Sequence, residues 1–158
     1  GDLACFYCDA YEAIRNAPCE ATVVMPVYQR TWWWLQTWHR FPPTHFRNVA
    51  FDTHQYHCFG AIWQMLSLYR TLVCARTGFL HTPSLGTIMD TGNPGMVSEW
   101  SLRLPAWDSR WLIAKELESF SEKDRDSKYA EFARRQQEQY QSARAWYFWT
   151  WKVDAASR

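Results

Sequence analysis

The sequence has few of the features that mark the commoner special classes of protein. It has no long run of one charge: 17 Lys and Arg stand against 16 Asp and Glu, for a formal net charge of +1. Arg134-Arg135 is the longest basic tract. That leaves no electrostatic footprint for nucleic acid or an anionic membrane surface. No apolar run approaches the roughly 18 residues a membrane helix needs, because each is cut at Gln29, Arg47, Asp52 or Lys152. Low-complexity tracts, internal repeats and linker-like shifts of composition are also missing, so residues 1–158 read as one unit. With 47% apolar residues the chain can bury a core, which excludes disorder.

Two shortages concern what surrounds the chain. It opens at Gly1 without an initiator Met or a charged-then-apolar leader, so the expectation is a segment of something longer, with any targeting signal elsewhere. Five cysteines are too few for a disulfide scaffold and many for a cytosolic domain, which favours an oxidising compartment and leaves one thiol over. Cys5 and Cys8 form a CxxC, but no second pair follows at zinc spacing and no clear strand precedes it; buried or disulfide-linked cysteine is the plainer reading. His39, His45, His57 and His81 also lack metal-ligand spacing and read as structural, so no metal and no cofactor is expected.

What the chain has in excess is tryptophan, 11 in all, more than a core of this size requires. Aromatic faces are where proteins hold sugar rings and flat ligands. The periodicity alternates between strand and helix. Phe6 to Arg15 reads as a helix facing inward through Tyr7, Tyr11 and Ile14, with Pro18 closing it. Ala21 to Val27 is a β-branched run suited to a strand buried on both faces, and Trp32 to Trp38 a helix stopped by Pro42-Pro43. Asn48 to Tyr56 is the second strand and Ile62 to Ala75 the next helix, with Gly78 beyond its end. Gly95 to Leu102 follows as a strand after the Gly92-Asn93-Pro94-Gly95 turn. Lys128 to Gln141 is a helix directing Tyr129, Phe132, Gln136 and Tyr140 inward, its charges from Lys123 to Arg135 forming a solvated face, and Ala145 to Trp151 is the last strand. Such alternation predicts a parallel α/β sheet, whose chemistry gathers at the carboxyl ends of the strands. Those ends hold Tyr28, His54, Tyr56, Glu99 and Trp149. Glu99 is expected at a strand exit, where a buried acid needs a partner or a task.

Three ordered motifs sharpen that expectation: Phe51-Asp52-Thr53-His54-Gln55-Tyr56-His57-Cys58-Phe59, then Val97-Ser98-Glu99-Trp100-Ser101, then Trp146-Tyr147-Phe148-Trp149-Thr150-Trp151-Lys152. Together they resemble the fungal-type exo-β-1,3-glucanases, or glucan 1,3-β-glucosidases, of glycoside hydrolase family 5. Weaker similarity reaches Asp9 to Arg15 and Ala21 to Val27, so the resemblance spans nearly the whole chain. It implies the C-terminal half of a (β/α)8 TIM barrel, about strands 5 to 8, because the whole fold usually takes about 250 residues. The missing strands would come from another segment or chain, since open sheet edges are costly, or from a second copy.

The resemblance also implies roles. Family members hydrolyse β-glucosides with retention, using two carboxyls about 5 to 5.5 Å apart. Glu99 matches the nucleophile, His54 and Tyr56 match positions that hold it or touch the sugar, Trp149 matches the platform under that sugar, and Phe59 an aromatic at the pocket entrance. The acid/base belongs to an Asn-Glu-Pro motif that does not occur here, and none of Glu12, Glu20, Asp52 or Asp90 matches it. Alone, the chain is expected to be inert. Two further departures are Ser98, where the family usually has Gly, and Met25 to Tyr28, where it often has His-Asp-x-Phe. The connection from Trp111 to Lys128 is also shorter than usual. The expected ligand is β-glucan or an oligosaccharide in a secreted, cell-wall setting; the alternative is a glucanase-derived, inactive structural or carbohydrate-binding component of an extracellular assembly.

Overall fold

The computed structural model describes residues 2–27, 46–81, 84–90 and 92–149. Its elements are α1 (Asp2–Asn16), β1 (Val23–Pro26), β2 (Val49–Gln55), α2 (Ala61–Gln64), α3 (Leu68–Thr77), α4 (Leu85–Met89), β3 (Gly95–Trp100), α5 (Leu112–Glu118), α6 (Glu122–Tyr140) and β4 (Ala145–Phe148). The strands form one four-stranded, all-parallel sheet in the order β1-β2-β3-β4. The protein is thus mixed α/β. A sheet whose sequential strands are neighbours throughout has no switch point of the doubly wound kind and is compatible with half of a TIM barrel.

One face of the sheet carries the apolar packing. Val49 and Phe51 of β2 and Met25 of β1 pack with Tyr11 of α1 and Ile88 of α4. Val97 and Trp100 of β3 pack with Leu85 of α4 and Tyr140 of α6. A third cluster joins α3, α5 and α6 through Leu72, Ile113 and Phe132. Residues 50, 52 and 54 alternate with that set and so project from the other face.

Several expectations need correction. Ala21 to Val27 is not buried on both faces: within it, β1 is an edge strand among the described residues, with Val24 and Pro26 exposed, and Pro there costs no ladder bond of a central strand. Ile14 is exposed rather than inward. The single helix expected over Ile62 to Ala75 is two, because Ser67 turns extended and caps α3, its side chain accepting from Arg70 N at 3.3 Å. The Glu116 carboxylate takes the Leu68 N–H at 2.6 Å, satisfying a second free donor of the new helix. Between Gly78 and Gly95 a short helix, α4, is capped by Ser84, and a further one, α5, precedes the long helix. That long helix starts at Glu122, six residues ahead of the expected Lys128, because Ser121 caps it by accepting from Asp124 N at 3.2 Å. The helix expected over Trp32 to Trp38, its Pro42-Pro43 stop, and Tyr28, His39, His45, Thr150 and Trp151 lie outside the described residues.

Other expectations hold. Gly78 ends α3 in the left-handed region (φ 67), and a Cβ there would lie 2.3 Å from Gln139 Nε2 of α6. Phe132, Gln136 and Tyr140 are buried along α6.

Candidate active site

The site begins with an irregularity in the sheet. Across β2 and β3, Thr53 pairs with Val97 but His54 pairs with Glu99, so Ser98 is an extra residue, a bulge. Without it, Glu99 would alternate onto the helix-covered face with Val97. With it, Trp100 takes the inner apolar position beside Tyr140, and Ser98 and Glu99 both turn to the opposite face. There they meet the alternating side chains of β2.

The bulge frees the Ser98 N–H from the ladder, and Asp52 collects it. Asp52 Oδ1 accepts from Ser98 N at 2.9 Å and Oδ2 from Ser98 Oγ at 2.6 Å. At 6% exposure a carboxyl group needs such donors, since a buried polar group left without partners is costly. His54 lies next along the face, its Nε2 3.3 Å from Asp52 Oδ2 and its Nδ1 3.4 Å from Glu99 Oε2. Tyr56, just past the end of β2, donates its hydroxyl to the same Glu99 Oε2 at 2.8 Å. Burial, and then the Glu99 carboxylate it serves, hold the Tyr56 phenol protonated well above its ordinary range.

Glu99 is therefore gripped by one oxygen. Oε2 takes both contacts, while Oε1 has no hydrogen-bond or ion-pair partner among the described residues, and no Arg or Lys pairs with this carboxylate there. The side chain faces a cavity of about 470 Å³ lined by Tyr56, Cys58, Phe59, Glu99, Ser101, Arg103 and Trp149, within the usual range for small-ligand sites of about 300 to 1,000 Å³. Two walls are exposed aromatic faces, Phe59 at 64% and Trp149 at 59%. Phe59 stands edge-to-face on Tyr56 at 5.2 Å. Trp149 continues the β3–β4 ladder through a bond from its N–H to Trp100 O of 2.8 Å, which fixes its backbone beside the cavity.

The structure thus brings Glu99, Tyr56, Phe59 and Trp149 to one cavity and places His54 behind Glu99. Sequence reading missed four contributors. Asp52 was set aside as an unassigned acid, although its alternation with His54 on one strand was the signal for a shared face. Cys58, Ser101 and Arg103 come from segments beyond the strand ends, whose paths periodicity does not report. The Cys58 thiol is pushed up to about 11 by burial, against a smaller opposite pull from Arg103, so it is a neutral wall and not a nucleophile at neutral pH. Glu99 is the sole carboxylate on the cavity wall among the described residues. No group of three or more His, Cys, Asp or Glu side chains gathers as a metal would require among those residues, and all five cysteines are unpaired. No family model matches the chain, and no curated protein matches it.

Proposed function

We propose that this chain is the nucleophile-bearing half of a retaining β-glycosidase, the strands 5 to 8 portion of a (β/α)8 barrel, acting on β-1,3-glucan or related β-glucosides. The observation that carries this reading is the state of Glu99: a carboxylate held through Oε2 by Tyr56 and His54, with Oε1 unengaged beside an aromatic-walled cavity. A retaining nucleophile needs that division. One oxygen is fixed, so the other is aimed.

In the proposed reaction Glu99 Oε1 forms a bond to the anomeric carbon as the glycosidic C–O bond breaks, and the leaving oxygen takes its electron pair. A general acid protonates that oxygen; the same group then deprotonates the water that cleaves the glycosyl ester and frees Glu99. The acid/base comes from the segment or chain that supplies the remaining strands, since the cavity offers no second carboxylate among the described residues. Trp149 supports the sugar ring at the cleavage point and Phe59 flanks the entrance. The setting this reading implies is extracellular or cell-wall, where such polymers lie.

The single carboxylate also favours a second reading, a glucanase-derived domain that binds glycan without cleaving it. Assaying the complete parent chain on a laminarin-type β-1,3-glucan beside Glu99→Gln separates the two. The first reading expects turnover that falls by about a thousandfold or more in the variant, because the covalent step is lost. Equal rates in both would remove Glu99 from its role. Saturable binding without turnover in either would favour the second reading.

A further inference from the structure

The cavity does not end at its rim. Arg103 is one of its walls, and the guanidinium lies over the ring of Trp107, 5.4 Å from the centroid. Trp107 in turn stands edge-to-face with Trp111 at 4.5 Å. The three side chains lead away from Glu99 along the segment between β3 and α5. That segment is anchored. Leu104 is buried in the cluster shared by α3, α5 and α6, the Arg103 N–H donates to Ser101 Oγ at 3.2 Å, and Trp111 N donates to Asp108 O at 3.0 Å. Asp108 is clasped by the Arg110 guanidinium at 2.6 Å. Trp107 nevertheless stays 48% exposed. An indole fixed in place with half its surface in water has little to do for the core. Arg103 has no carboxylate partner among the described residues, so its N–H donors face the cavity side uncommitted.

We infer that Arg103, Trp107 and Trp111 form a second saccharide subsite continuing outward from the Glu99 cavity, so that the site takes a neutral oligosaccharide chain rather than a single glycoside. This rests on the glycan reading above. A sugar presents an apolar C–H face and a rim of hydroxyls; the indole face meets the first and the guanidinium donors meet the second. Rigid aromatic contact area that is ordered before binding loses little entropy when the ligand arrives.

The test uses the parent chain carrying Glu99→Gln throughout, so that nothing is hydrolysed, titrated calorimetrically with β-1,3-linked gluco-oligosaccharides from the disaccharide to the hexasaccharide. Affinity is expected to rise with chain length by about tenfold or more, the equivalent of about 1.4 kcal/mol. Adding Trp107→Ala should flatten that rise while leaving disaccharide binding nearly unchanged; Arg103→Ala should reduce it, and Trp107→Phe, which keeps a ring, should retain most of it. Thermal melting checks that each variant folds. A length dependence that survives Trp107→Ala, or one missing from the start, overturns the subsite and leaves the glycan reading intact. Failure of every oligosaccharide to bind overturns both.

Discussion

His54 and His57 lie three residues apart and occupy opposite electrostatic worlds. His54 presents one ring nitrogen to Asp52 and the other to Glu99, at 3.3 and 3.4 Å, and keeps part of its surface in water. His57 is fully buried, packed edge-on against Trp63 and Phe132, with its Nε2 3.1 Å from His81 Nε2. Two imidazoles sharing one hydrogen bond need one N–H and one lone pair between them, so the two rings cannot both be protonated there. Burial pushes His57 far below its ordinary range, the His81 ring beside it adding to the effect, and burial pushes His81 down to about 4. The same residue type serves as a bridge between two carboxyl groups on one side of the sheet and as an uncharged core group past the end of the strand. The first arrangement is suited to a reacting carboxylate and the second to stability.

That contrast predicts a separation of effects. His57→Ala removes a buried ring and leaves His81 short of its partner, and should lower stability by about 3 kcal/mol. His54→Ala should cost about 1 kcal/mol, because its contacts are partly solvated, yet should impair glycoside turnover in the complete chain far more than His57→Ala does at equal folded fraction. Urea midpoints give the first quantity and initial rates the second. Equal stability losses would erase the distinction between the two histidines.

Titration sharpens the same comparison with a smaller effect. The ordinary histidine value is 6.5, and His57 and His81 lie below it when folded. Between pH 6.5 and the lower folded values the unfolded chain binds protons that the native chain refuses, so stability is full above that window and falls with pH inside it. The expected loss is about 2 kcal/mol on going from pH 7 to about 4.5, discounted because His81 keeps some contact with solvent. Above about 4.5 the carboxylates held low by arginine, Asp108 and Glu131, contribute little to the slope. His81→Gln should remove the His81 share of this dependence, about half, in urea melts at a series of pH values, and leave the share that burial imposes on His57. A slope unchanged in that variant would place the titration elsewhere.

The sheet was legible because the strands are short runs rich in β-branched, apolar or aromatic residues that alternate with helical segments, among them the one in which Tyr129, Phe132, Gln136 and Tyr140 repeat at helical spacing. Helix boundaries were less so. Ser67, Ser84 and Ser121 each start a helix through a side-chain acceptor three residues ahead of its donor, a signal carried by single residues inside runs whose hydrophobic period gives no break. Around Glu99 the strand period itself misleads. Strict alternation from Val97 would send Glu99 inward; only the Ser98 bulge reverses it, and a bulge leaves no mark on hydrophobic pattern. The motif containing Glu99 could therefore be noticed, and alternation could place Asp52 on the His54 face, but not the Ser98 donors that only the bulge brings to Asp52.

Ser98→Gly is the smallest and most discriminating change, because the proposed glycosidase reading expects Gly at that place. It deletes the 2.6 Å bond from the hydroxyl to Asp52 Oδ2 but keeps the 2.9 Å bond from the backbone N–H to Oδ1. Asp52 then retains one main-chain donor and its contact with His54, and loses roughly 1 kcal/mol of charge-assisted bonding. The bulge itself should persist, since Gly accepts bulge geometry readily. Glu99 then keeps its orientation and the complete chain its turnover within about twofold. A large loss of turnover with little loss of stability would mean that the hydroxyl, acting through Asp52 and His54, sets how Glu99 is presented, and its role would then be positional.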